Sequence, residues 1–141
     1  MTALAALAAS ACLSAPVSYG TPPNIGAPTI PWIHAGPVIG YLFYYGAEGP
    51  WKRQTGRVII TTGGGPQGGY ATKILWHVRG GSKRITVVGT RLDGAGRFTQ
   101  RFSASGAFYP SIVVVPSSGC WRLTVTSARH VGRFAVVALD A

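Results

Sequence analysis

Cys120 is the residue whose type and setting offer the most reactive chemistry in this chain. It sits in Ser117-Ser118-Gly119-Cys120-Trp121-Arg122-Leu123, and a cysteine becomes a strong nucleophile once a neighbouring base or cation generates the thiolate near neutral pH. The sequence offers little for that purpose. The nearest histidine before it is His77 and the nearest after it is His130, with His34 further off. Small thiols are also among the most buried side chains. A packed core cysteine is therefore the expectation for Cys120. A catalytic nucleophile is the alternative, and a disulfide with Cys12 or another chain is a third use. His34, His77 and His130 show no metal-ligand spacing among themselves or with the cysteines, so no metal and no cofactor is expected. Glu48 and Asp93 are the one plausible carboxyl pair for glycoside hydrolysis, and both fall in turns. No G-x-S-x-G occurs.

The residues around Cys120 resemble the S-H-G-C-apolar-R motif of L,D-transpeptidases, exported β-rich enzymes that cross-link peptidoglycan through a cysteine. Ser118 stands here where that motif has its histidine. The resemblance implies the runner-up function, a cysteine-dependent enzyme acting on peptidoglycan. The leading expectation is a protein without enzymatic activity.

Binding chemistry is better represented. Ten arginines and three lysines face only Glu48, Asp93 and Asp140, for a formal net charge of +10. Such a balance favours anionic partners. Basic and aromatic residues interleave at Trp51-Lys52-Arg53 and Trp76-His77-Val78-Arg79, and exposed aromatics beside arginine can stack on sugars or bases. The candidate ligand-binding residues are Trp51, Arg53, Arg79, Lys83, Arg84, Arg97 and Arg101, provided they share a face. Gly63–Gly69 could form an anion-binding backbone nest, but it lacks the lysine and hydroxyl of a phosphate loop and is read as a hairpin loop.

Residues 1–15, MTALAALAASACLSA, are too short an apolar stretch to span a bilayer. They read as a signal remnant whose basic leading region is missing, which places the true start upstream. Ala9-Ser10-Ala11-Cys12 resembles a bacterial lipobox, with Ala9 where a leucine is usual, making Cys12 a lipidation candidate. Ala9-x-Ala11 fits ordinary signal-peptidase cleavage equally well, and an Ala-rich tail is the third option. Residues 16–37 carry six prolines with glycines between them, a density that opposes helix and central strand. They read as an extended tether.

The elements that must position these groups are strands. Twenty glycines and ten prolines punctuate a chain that is 47% hydrophobic, as a packed domain of short strands requires. Eight strands are expected: 38–45, 57–62, 70–79, 84–91, 97–103, 111–115, 120–126 and 131–139. Residues 97–103 are the most polar and are read as an edge strand. The unbroken run Ile112–Val115 is read as a strand buried on both faces, turning through Pro116–Gly119 into the alternating strand that carries Trp121, Leu123 and Val125. The fold class is all-β, an Ig-like antiparallel sandwich over residues 38–141.

Trp51, Gly69-Tyr70, Lys73-Ile74-Leu75-Trp76, Gly89-x-Arg91-Leu92-Asp93, Pro110-Ser111-Ile112 and Pro116-x-x-Gly119-Cys120-Trp121 together are similar to a group of uncharacterised bacterial exported proteins and lipoproteins. P-x-x-G-C-W is the most specific element. The resemblance implies an Ig-like fold and an envelope location, and it carries over no catalytic residue. The combined expectation is an exported β-sandwich module, lipid-anchored or secreted, that binds an anionic envelope polymer or membrane surface rather than nucleic acid.

Overall fold

The computed structural model describes residues 12–26, 30–44, 56–64 and 72–140. Within them all regular structure is β: β1 (Trp32–Ala35), β2 (Val38–Leu42), β3 (Ile59–Thr61), β4 (Lys73–Val78), β5 (Arg84–Arg91), β6 (Arg97–Ser103), β7 (Phe108–Ile112), β8 (Gly119–Ser127) and β9 (His130–Leu139). One sheet has the order β1-β2-β4-β7 and the other β3-β9-β8-β5-β6. Every pairing is antiparallel except β3 with β9. Taking β4, β5, β6, β7, β8 and β9 as B, C, C′, E, F and G reproduces the B–E and C′–C–F–G neighbours of an immunoglobulin sandwich. β2 takes the place of strand A, and β1 extends the sheet beyond it.

Period-2 burial explains why these segments are strands. In β8, Trp121, Leu123 and Val125 are fully buried while Arg122 is exposed, and in β9 Phe134, Val136 and Ala138 turn inward. The inner faces meet in one core containing Trp76, Trp121, Ile74, Ile85 and Leu123. The Trp76 and Phe134 ring centroids lie 5.6 Å apart, and those of Phe98 and Trp121 5.5 Å apart. Both indoles keep a hydrogen-bond partner, Trp76 Nε1 donating to Ser111 Oγ at 3.0 Å and Trp121 Nε1 to the Ser117 carbonyl at 2.9 Å. A polar stitch joins the sheets at one end. The hydroxyls of Tyr109 of β7 and Ser127 of β8 lie 3.2 Å apart, and each is tied further, Tyr109 donating to the Ser82 carbonyl at 2.5 Å and Ser127 to the Arg84 carbonyl at 2.8 Å.

Three details differ from the sequence reading. Ile112–Val115 is not buried on both faces: Val113 and Val115 are fully buried, but Ile112 is 47% and Val114 41% exposed. β7 ends at Ile112, and Pro116–Gly119 carries the chain from one sheet to the other instead of closing a hairpin. The sandwich also takes in residues assigned to a tether. Trp32–Ala35 pairs with β2, Ser18 bridges Trp32, and Pro16 bridges Arg57. The Val17 amide donates to the Gly56 carbonyl at 2.7 Å, and the Ala15 amide to the Ala135 carbonyl at 2.7 Å. Prolines and extended backbone suit such an arm, because an irregular strand laid along an edge needs few ladder donors.

Candidate anion-binding face

β5, β6, β8 and β9 turn alternate residues away from the core, and register fixes which of them become neighbours. Thr90 pairs with Arg97 on one side and Arg122 on the other. Thr86 stands between Arg101 and Thr126 in the same way, and Thr124 of β8 pairs with Arg133 of β9. Arg84, paired with Ser103, continues the face toward the start of β5. All five arginines are exposed. Strands lie about 4.8 Å apart and residues rise about 3.4 Å along each. Arg97 and Arg122 therefore sit roughly 10 Å apart across two strand spacings, and Arg97 and Arg101 roughly 13 Å apart along β6.

No carboxylate occurs in these four strands. Asp93 lies at the tip of the β5–β6 hairpin, where its Oδ1 accepts from Arg91 Nε at 2.9 Å. That bond from Arg91, helped by the Cys120 backbone amide, holds the Asp93 carboxyl below its ordinary value. Asp140 follows the end of β9. The five cations are thus unopposed across their own sheet. Like charges placed directly opposite one another on a sheet are destabilising, and here no arginine has another as its cross-strand partner. Threonine, serine or alanine always intervenes. Charged side chains also guard sheet edges against strand pairing, which accounts for Arg97 and Arg101 on the edge strand β6. It does not account for Arg122, which is paired on both sides, with Thr90 of β5 and Ala135 of β9.

Of the residues singled out from the sequence, Arg84, Arg97 and Arg101 come together here. Lys83 is exposed on the loop that leads into β5. Arg79 belongs elsewhere: with Asn24, Gly36, Pro37, Ile39 and His77 it lines a cleft of about 430 Å³ on the four-stranded sheet. Trp51 and Arg53, like Gly65–Gly69, lie outside the described residues. Arg122 and Arg133 were missed. Their alternation with Trp121, Leu123, Gly132 and Phe134 was legible, but only the strand order shows that they join β5 and β6 in one face.

The outer face of the four-stranded sheet has the opposite character. His34, Ile39, His77 and Phe108 form one cross-strand row, with the His77 and Phe108 rings 5.4 Å apart. Tyr41 in the next row is fully buried although it lies outside the inter-sheet core, because its hydroxyl donates to the Pro23 carbonyl of the arm.

Cys120 is buried, but not in the core between the sheets. It occupies the side of β8 opposite Trp121 and pairs with Val137, outside the inter-sheet cluster, and it is 0% exposed. Burial first, and then the hydrogen bond that its own S–H donates to Cys12, push its pKa up to about 12. A thiol in that state is protonated at neutral pH, the reverse of what an activated nucleophile requires. Cys12 Sγ lies 4.0 Å from Asp93 Oδ2. The arm is tied down immediately after it, where Arg57 Nη1 donates to the Ser14 carbonyl at 2.7 Å. Compared with known proteins, the chain matches no family model and no curated protein at significant similarity.

Proposed function

We propose that this protein is an exported, non-enzymatic β-sandwich module whose five-stranded face binds an anionic polymer of the cell envelope. The observation that carries the reading is the row-and-spacer arrangement of Arg84, Arg97, Arg101, Arg122 and Arg133 without a carboxylate among them. Their spacing of roughly 10–13 Å is comparable with the Debye length of about 8 Å at physiological ionic strength. Each arginine then acts on a nearby anionic group largely by itself, and affinity comes from several contacts along a repeating chain. A polymer suits this face better than a lipid surface does. Among the described residues, Leu139 is the one exposed large apolar residue in the strands of this sheet, while Phe43, Ile112 and Val114, which could dip into a bilayer, lie at the ends of β2 and β7. Export is supported by the Ala- and Leu-rich stretch of residues 1–15 with its small residues near Ala11.

The test is titration of the purified protein with a polyglycerol phosphate and with a neutral glucan of equal length, at stepped salt concentrations. The phosphate polymer is expected to bind with an affinity that falls linearly on a log–log salt plot, by counterion release. The neutral glucan is expected not to bind. Salt-independent affinity, or equal binding of both polymers, would overturn the reading.

A further inference from the structure

The two cysteines of this chain lie 108 positions apart in sequence, yet both come to one carboxylate: Cys12 Sγ lies 4.0 Å from Asp93 Oδ2, and the backbone amide of Cys120 donates to Asp93. Each is held there by its own set of contacts. On one side, the Leu92 amide donates to the Cys120 carbonyl at 2.7 Å, and β8 pairs Cys120 with Val137. On the other, Ser14 and Ala15 are bonded to Arg57 and Ala135, which leaves Cys12 little room to wander. Cys120 points away from the core and yet is fully covered, while Cys12 is half-buried and stays within reach of solvent. We infer that Cys12 and Cys120 close an intramolecular disulfide that staples the N-terminal arm to the outer side of β8.

The chemistry is exchange with an external disulfide, either a small-molecule disulfide or that of a thiol oxidoreductase. The more accessible Cys12 loses its proton and attacks one sulfur of the donor. A mixed disulfide forms, and one donor thiolate leaves and takes up a proton. Cys120 then loses its proton and attacks the Cys12 sulfur, expelling the second donor thiolate, which is protonated in turn. Two protein S–H bonds and one donor S–S bond are exchanged for one protein S–S bond and two donor S–H bonds. The protein is oxidised by two electrons and the donor reduced by two. Because the closed loop takes in most of the chain, the cross-link restricts the unfolded state strongly. It also occupies the sulfur that a thioether-linked lipid on Cys12 would need, so the two modifications exclude one another. The inference does not depend on what the arginine face binds.

The experiment incubates the full chain with oxidised glutathione, then titrates thiols in denaturant, measures the intact mass and maps peptides without reduction. The expected result is loss of both thiols, a mass lower by two hydrogen atoms, a Cys12–Cys120 cross-linked peptide, and a melting temperature raised by several degrees and returned by dithiothreitol. Cys12→Ser, which leaves the buried Cys120 in place, should melt like the reduced protein and ignore the reductant. A stable glutathione adduct on Cys12 with Cys120 still titratable would overturn the inference. So would a disulfide-linked dimer, or a lipidated Cys12 in protein recovered from an exporting host.

Discussion

At the scale of single residues, Asp93 shows how one carboxylate organises a corner where sheet, hairpin and arm meet. It accepts from Arg91 Nε and from the backbone amide of Cys120, and it lies beside the Cys12 thiol. Its pKa is lowered below 3.8, first by the Arg91 bond. A carboxyl whose folded pKa is depressed adds stability that is fully present above the unfolded value and is lost as pH falls through the folded one. The pair sits at the surface with about a quarter of each side chain exposed, so solvent screens it and its contribution is small, about 1 kcal/mol or less. Asp93→Asn should therefore lower the urea midpoint at neutral pH. The gap from wild type should close as pH falls through and below the ordinary carboxylate range. A gap of unchanged size across that range would show that the carboxylate charge plays no part in the corner.

At the scale of elements, β5 and β6 run from Arg84 to Arg91 and from Arg97 to Ser103 as their alternation and the Asp93-Gly94 turn indicated, and β6 is an edge strand as its polarity indicated. β1 was not legible. Trp32–Ala35 lies between Pro31 and Pro37, and four residues are too few to show a period. The path after β7 was not legible either, because a β-branched run looks the same whether it crosses between sheets or stays in one. Nor could sequence show that Cys120 and Tyr41 are buried by the arm instead of the core, since burial by a distant segment leaves no periodic trace. Cross-strand fit was equally hidden. Gly89 faces Phe98, and a Cβ at Gly89 would overlap the Phe98 ring, which itself packs on Trp121. Overpacking of this kind costs about 1–3 kcal/mol. Gly89→Ala should destabilise the domain by that amount in urea unfolding, and Phe98→Leu added to it should restore part of the loss. An additive pair would mean that the ring is not what excludes the methyl group.

At the scale of the whole molecule, the question is whether a net charge of +10 binds anions from everywhere or from one side. A uniformly basic protein attracts polyanions in proportion to its total charge. The two sheets here differ: one presents five spaced arginines, and the other a row of His34, Ile39, His77 and Phe108 with Arg79 at a cleft. Two triple variants separate the cases, because they remove equal charge from different places. Arg97→Gln, Arg101→Gln and Arg122→Gln strip the five-stranded face. Lys73→Gln, Arg79→Gln and Arg129→Gln leave that face intact, since these residues lie on β4, at its end and in the β8–β9 turn. Each lost contact should lower the salt slope by about one, so the first variant should lose about three units of slope and bind polyglycerol phosphate at least about tenfold more weakly at low salt. The second should keep most of both. Equal losses in the two variants would assign the attraction to the charge of the molecule as a whole and leave the threonine-spaced arginines as a solvated outer surface.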